Sequence, residues 1–255
     1  MGGDIYPALG GDYPGNFAYS SLQSLASNVI GITVPLSGHG NPEEQSKFVI
    51  DQHFKCFGNS TNNSKGTLTL QVQMSIDGYI AGPNGEMDWM VWDWDDKLKN
   101  YVTELTEPVD TIILGRKMID GFVSYWSEII TKPDDPSYEF AKKMIETPKV
   151  VFTKTLKKSQ WVNTSIATGD LTDEIMKLKN EKGMDIIVYG GATFDSSLIK
   201  AGLIDEFHLF INPAAIGRSS MAIFKDINEI QKFSMIKSTR FDCGIVELHY
   251  EPKRT

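Results

Sequence analysis

The pattern of hydrophobic and polar positions changes once along this chain, near Lys65. Before that point apolar residues form only short clusters, such as Val29-Ile30-Gly31-Ile32, among Gly, Asn, Ser and Pro. The run Gly58-Asn59-Ser60-Thr61-Asn62-Asn63-Ser64-Lys65-Gly66 has the composition of a linker. Residues 1–66 are therefore expected to be a poorly ordered extension with one short helix over 42–54. Residues 67–255 are expected to form a single domain.

Within that domain the periods are regular. Leu68, Leu70, Val72 and Met74 alternate with Thr69, Gln71 and Gln73, which is strand period. A loop punctuated by glycines runs from Ser75 to about Trp92. Leu98, Tyr101, Val102 and Leu105 then recur at helical spacing. Asp93, Asp95 and Asp96 stand where carboxylates suit unpaired N–H groups and the helix dipole, and Pro108 stops the helix. The apolar run 111–114 predicts a buried strand ending at Gly115. A second helix is expected over 136–146, opened by Asp135-Pro136 and closed by Pro148.

Strands are expected at 149–153 and 162–167. Leu171, Ile175 and Leu178 mark a helix ending at Gly183. A buried strand over 186–189 closes on Gly190-Gly191, and a short helix over 193–201 ends at Gly202. A strand over 206–212 and a hairpin over 234–250 complete the chain. Strands alternating with helices need crossover connections, which give an α/β fold with a mainly parallel sheet. The closing pair predicts an antiparallel edge.

Composition narrows the partners. The chain has 255 residues, 41% hydrophobic and 23% charged, enough for a sizeable core. A net charge of −8 argues against a general nucleic-acid binder, which needs a basic face. The apolar runs are too short to span a bilayer, and no basic-then-apolar leader opens the chain. A cytoplasmic protein with no membrane partner is expected. Cys56 and Cys243 form neither a disulfide framework nor a zinc motif. His39, His53, His208 and His249 are scattered without ligand spacing, so no metal is expected. His208 and His249 read as ordinary strand residues. The phosphate-loop, Gly-x-Gly-x-x-Gly and nucleophile-elbow motifs are all missing.

In open parallel sheets, ligands bind at the carboxyl ends of the strands. Three such ends carry suggestive residues. Gly115 is followed by Arg116 and Lys117. Phe152 is followed by Thr153 and Lys154. Tyr189 is followed by Gly190, Gly191, Ala192 and Thr193 at a helix start, where exposed N–H groups form an anion seat. Separately these are a surface pair, a strand end and a tight turn; together they point to a dinucleotide with several phosphates. The loop 75–82 suits a flap over a ligand. The run from Met87 to Trp94 suits either an aromatic wall beside acidic groups or simple packing under a loop. Gln71 and Gln73 lie on the polar side of an apolar strand and need partners; Gln73 is expected to contact the ligand.

These residues also carry a resemblance. Met74 to Ala81, Ile113 to Met118 and Val188 to Ala192 resemble the dihydrofolate reductase-like superfamily. Gly202 to Phe210, with Pro213 and Ile216-Gly217, resembles its branch containing the C-terminal pyrimidine reductase domain of riboflavin biosynthesis. The resemblance implies a mixed, mainly parallel sheet flanked by helices, a homodimer, and NADPH lying across the strand ends. It implies Gln73, Ile80 and Ala81 beside the nicotinamide, and Gly115, Arg116 and Lys117 near the phosphates. Thr153 and Lys154 would lie near the 2′-phosphate, and Gly190, Gly191, Ala192, Thr193 and Phe194 would hold the pyrophosphate. The implied activity is hydride transfer to a small heterocyclic imine or carbonyl, with Asp77 and Asp93 as candidate proton donors or relays. Two departures bear on the substrate. Phe210 stands where folate reductases have a threonine, and Arg218-Ser219-Ser220 is poorer in glycine than the riboflavin branch. The alternatives are a nucleotide-binding sensor or scaffold without turnover, a dihydrofolate reductase proper, or an interaction protein using Tyr138, Phe207 or Phe210.

Overall fold

In the computed structural model, residues 65–181, 185–217 and 220–253 are described. The helix expected over 42–54, the rest of 1–64, Gly183, Arg218 and Ser219 lie outside them.

The chain's alternating and continuous apolar runs become eight strands. They are β1 (Leu68–Ser75), β2 (Val109–Gly115), β3 (Lys149–Phe152), β4 (Thr164–Ala167), β5 (Asp185–Val188), β6 (Glu206–Asn212), β7 (Phe233–Arg240) and β8 (Val246–Pro252). They form one sheet in the order β4-β3-β2-β5-β1-β6-β8-β7. The first six in the chain pair in parallel, and β8 joins β6 and β7 antiparallel. The mainly parallel sheet and its antiparallel edge are as the sequence predicted.

Among the described residues five helices flank the sheet: α1 (Asp96–Thr106), α2 (Ile119–Ile129), α3 (Tyr138–Glu146), α4 (Leu171–Asn180) and α5 (Ala192–Lys200). Asp95 caps α1, its Oδ1 accepting from the Leu98 amide at 2.8 Å. Asp170 caps α4 through the Thr172 and Asp173 amides. Both caps satisfy donors that a helix start leaves unpaired. Helix α2 was not among the expected elements. Its apolar positions Ile119, Phe122, Val123, Trp126 and Ile129 follow helical spacing, but Gly121 and a high share of aromatic and β-branched residues weaken its propensity. Packing against β2 and α3 makes it a helix. Helix α3 begins at Tyr138, and β4 at Thr164, each two residues later than the sequence placed them. Helix α4 stops at Asn180, before Gly183, with Glu181 as its C-cap.

The central strands are buried on both faces, which explains their unbroken apolar runs. Leu68, Leu70, Ile113 and Val188 pack on one face with Ile175 of α4 and Leu198 and Ile199 of α5. Ile112, Leu114, Val151 and Ile187 pack on the other with Ile119 of α2 and Met144 of α3. On that second face α1 covers Phe210 with Leu98 and Val102. No helix among the described residues is long and apolar enough to cross a membrane.

Candidate active site at the carboxyl edge

Because β1 to β6 run in parallel, their carboxyl ends share one edge of the sheet. There the turn after β2 meets the turn after β5. The Gly115 amide donates to the Gly190 carbonyl at 3.1 Å. A Cβ on Gly115 would stand 3.0 Å from Phe194 Cβ and 3.3 Å from that carbonyl oxygen. Only glycine lets β2 approach the start of α5 so closely. Phe194 stacks against Phe152 with ring centroids 5.0 Å apart, which brings the end of β3 into the same group.

Gly190 and Gly191 have φ of +76° and +99°, a region closed to most side chains. The Phe194 and Asp195 amides return to the Gly191 carbonyl. The amides of Ala192 and Thr193, in the first turn, precede any helical acceptor and stand at the positive end of the helix dipole.

Asp195 lies beneath this turn and is only 1% exposed. Its Oδ1 has no hydrogen-bond partner, and a Cβ on Gly190 would come within 2.3 Å of its Oδ2. Burial pushes its carboxyl up to about 8. A neutral acid here leaves the anion seat free of an opposing charge. The linkage has a definite sign. A carboxyl raised in the folded state binds its proton more tightly than in the unfolded chain. Its contribution to stability is full below the ordinary carboxylate range and is lost as pH rises toward 8, at up to about 1.4 kcal/mol per pH unit. Asp195→Asn is therefore expected to be more stable than the parent at pH 8, and the difference should shrink steadily toward pH 5. Urea unfolding at several pH values measures it; a difference that does not vary with pH would show that Asp195 is ionised throughout.

The other predicted residues fall into separate groups. Arg116 pairs with Asp120 at 2.7 Å and lies over the Trp161 ring, 5.2 Å from its centroid. Trp161 Nε1 donates to the other Asp120 oxygen at 3.1 Å, so guanidinium, carboxylate and indole form a closed trio. Lys117 and Lys154 are exposed. The Thr153 hydroxyl accepts from the Thr155 and Leu156 amides and shapes the turn after β3.

The loop after β1 is tied to the loop after β6. The Ile76 amide donates to the Ala214 carbonyl, and Ile80 and Ala81 form a two-bond bridge with Met221. Asp77 accepts from the Ile216 amide at 3.2 Å and the Gly217 amide at 2.7 Å. The Ser75 hydroxyl, then the Gly217 and Ile216 amides, hold the Asp77 carboxyl below the usual carboxylate range. In this structure it anchors the two loops, with both carboxylate oxygens accepting from backbone amides. Asp93 is exposed on the loop before α1. The carboxylate that the fold uses there is Asp95, whose second oxygen accepts from the Cys243 amide at 2.9 Å and fastens the β7–β8 turn.

Asn212 was missed by sequence reasoning. It is fully buried at the end of β6. Its Nδ2 donates to Gln73 Oε1 at 2.8 Å, and its Oδ1 accepts from the Val91 amide at 2.9 Å. This fixes Gln73 and joins the tryptophan-rich loop to the sheet. Gln73 Nε2 remains buried without a protein partner, as does Gln71 Oε1. Of the nearby tryptophans, Trp94 packs beside the α1 core while Trp92 is exposed. No sequence spacing foretold Asn212, because its partners come from distant segments.

Residues 66–247 match the RibD C-terminal domain. The chain is 34% identical over 194 residues to the uncharacterized protein YyaP of Bacillus subtilis (strain 168), covering 74% of this chain and 97% of that one. A solved protein from Shewanella sp. PV-4, provisionally named for riboflavin biosynthesis, is 25% identical. The match spans 74% of this chain and 99% of that one with a TM-score of 0.58. The deaminase/5-amino-6-(5-phosphoribosylamino)uracil reductase of Thermotoga maritima shares the fold, at 16% identity and a TM-score of 0.52. That match covers 84% of this chain and 67% of that one.

Proposed function

The chain belongs to the RibD C-terminal domain family, within the dihydrofolate reductase-like fold, and from that premise we propose that it is an NADPH-dependent reductase acting on a small heterocyclic imine or carbonyl. The observation that carries this reading is the meeting of Gly115, the Gly190-Gly191 turn and the first amides of α5 at one sheet edge. A pyrophosphate needs such a seat: unpaired N–H groups, a helix dipole and backbone with no Cβ in the way.

The residues fit the cofactor in two further respects. Lys117 and Lys154, which follow β2 and β3 at the same carboxyl edge, are exposed cations suited to the 2′-phosphate that separates NADPH from NADH. Gln73 carries a buried, unpaired amide donor on β1, suited to the carbonyl of a nicotinamide amide. The bound cofactor would supply the hydride. The chain's own residues would hold it across the strand ends, and the loop 75–82, tied to Ala214, Gly217 and Met221, would limit water above it. Since Asp77 is committed to loop amides, the substrate proton would come from water or from the substrate's own surroundings.

That commitment favours a second reading, nucleotide binding without turnover. The two separate in one assay. NADPH absorbance is followed with ribosylaminouracil and pterin compounds in turn. Oxidation that requires both the protein and a substrate supports the reductase. Saturable binding with no oxidation by any of them supports the second reading.

A further inference from the structure

A buried polar cluster lies on the α1 face of the sheet, toward the amino ends of β1 and β6 and away from the glycine turns. Strand register builds it. Gln71 of β1 pairs with His208 of β6, and His208 pairs with His249 of β8. Glu206 precedes His208 by one strand period, so their side chains share that face.

The imidazoles stack with centroids 4.1 Å apart and planes 23° apart. His208 Nδ1 is 2.9 Å from Glu247 Oε1, and Glu247 is fully buried. A carboxylate can only accept, so Nδ1 donates to Glu247, and Nε2 is the ring nitrogen left facing Glu206. That Nε2 is buried without a hydrogen-bond partner, as is His249 Nε2. The two nitrogens lie 3.6 and 3.9 Å from one oxygen, Glu206 Oε2. Both nitrogens therefore face one carboxylate oxygen across gaps too long for hydrogen bonds. His208 itself is only 4% exposed, so water screens the contact poorly.

A cation between the three atoms satisfies all of them. Zinc is held about 2.0–2.2 Å from imidazole nitrogen and carboxylate oxygen, which sets ligand atoms roughly 3.4 Å apart in a tetrahedron. The three ligand atoms lie within 4.8 Å of one another, and binding requires the partly exposed His249 to rotate out of its stack on His208 so that its Nε2 turns toward the same ion. Glu247 stands where an orienting carboxylate stands behind a ligand histidine. Glu206 also lines a cavity of about 280 Å³ together with Thr69, Glu104 and Asp185. Its carboxylates attract a cation, and its volume leaves room for water at the open coordination position.

We propose that Glu206 Oε2, His208 Nε2 and His249 Nε2 form a site for a divalent transition metal of the zinc class, completed by water from the adjoining cavity. Two histidines and one carboxylate are a donor set that zinc accepts, and Glu206 with Glu247 balances its charge once the metal has displaced any proton from the two Nε2 atoms.

The test is calorimetric titration of the full-length chain, first stripped with chelator, with Zn²⁺. One equivalent should bind, and His249→Ala and Glu206→Gln should each weaken it at least about 10-fold. His39, His53 and Cys56 offer competing ligands, so the combined variant H39A/H53A/C56S should keep the wild-type affinity. X-ray absorption of the zinc-loaded H39A/H53A/C56S variant should report two imidazole nitrogens, which only His208 and His249 can then supply, and this decides the matter if a single variant fails to fold. Absence of stoichiometric binding, affinity unchanged by both single replacements, or loss of binding in the combined variant would overturn the proposal.

Discussion

Asp205→Ala should lower the unfolding free energy by about 3–5 kcal/mol, the range for removing one partner of a buried ion pair. Asp205 lies in the turn between α5 and β6. Its Oδ2 accepts from the Leu68 amide at 2.9 Å and pairs with the Lys179 ammonium, which is itself buried. Lys179 also donates to the Leu203 carbonyl at 2.6 Å, and its own carbonyl accepts from the Gly66 amide. One carboxylate thus joins the end of α4, the start of β1 and the approach to β6. With alanine in its place, the Lys179 charge stays buried without its counterion and the Leu68 amide loses an acceptor. Denaturant unfolding measures the loss. The pair is costly to break but also costly to desolvate, so the double replacement Lys179→Met with Asp205→Leu should recover most of the stability. A loss under about 1 kcal/mol in the single variant would mean that the pair behaves as a surface contact.

Gly190→Ala should weaken NADPH binding at least about 100-fold, roughly 2.7 kcal/mol. Two effects act at this position. The left-handed φ of +76° costs a residue with a side chain about 1–2 kcal/mol. The added Cβ would also come within 2.3 Å of Asp195 Oδ2, so Asp195, and with it the first turn of α5, must move. The amides of that turn are the proposed pyrophosphate seat, and a shift of an ångström spoils several hydrogen bonds together. Affinity is read by titration and the fold by near-ultraviolet circular dichroism. An intact variant that binds NADPH as tightly as the parent would remove the glycine turn from the site.

Much of the fold was legible in the sequence because period reports burial. The alternation of Leu68, Leu70, Val72 and Met74 gave β1, and the unbroken apolar runs at 111–114 and 186–189 gave strands buried on both faces. Asp93, Asp95 and Asp96 marked one helix start by ordinary capping chemistry, and Asp95 is its cap. Helix α2 escaped because packing, rather than propensity, holds it.

The site was legible where it depends on backbone. Gly115 ends β2, and Gly190 and Gly191 follow β5; close approach explains the first and a left-handed backbone the other two. Side-chain partnerships were not legible. Asp77 looks like an acid available for chemistry until the Ile216 and Gly217 amides are placed around it. Asn212 meets Gln73 only through the pairing of β6 with β1. His208 and His249 look scattered along the chain, yet register sets them side by side. Such contacts depend on strand order, which local period does not encode.

The central claim is that this fold binds NADPH at its carboxyl edge. The most direct test is titration of the purified chain with NADPH, and separately with NADH, read by tryptophan fluorescence. Trp161 stacks on Arg116, and Trp89, Trp92 and Trp94 lie on the loop leading to α1, so a bound nicotinamide or adenine should quench some of them. Saturable quenching, tighter with NADPH than with NADH, is the predicted result. A folded protein that binds neither cofactor would contradict the account.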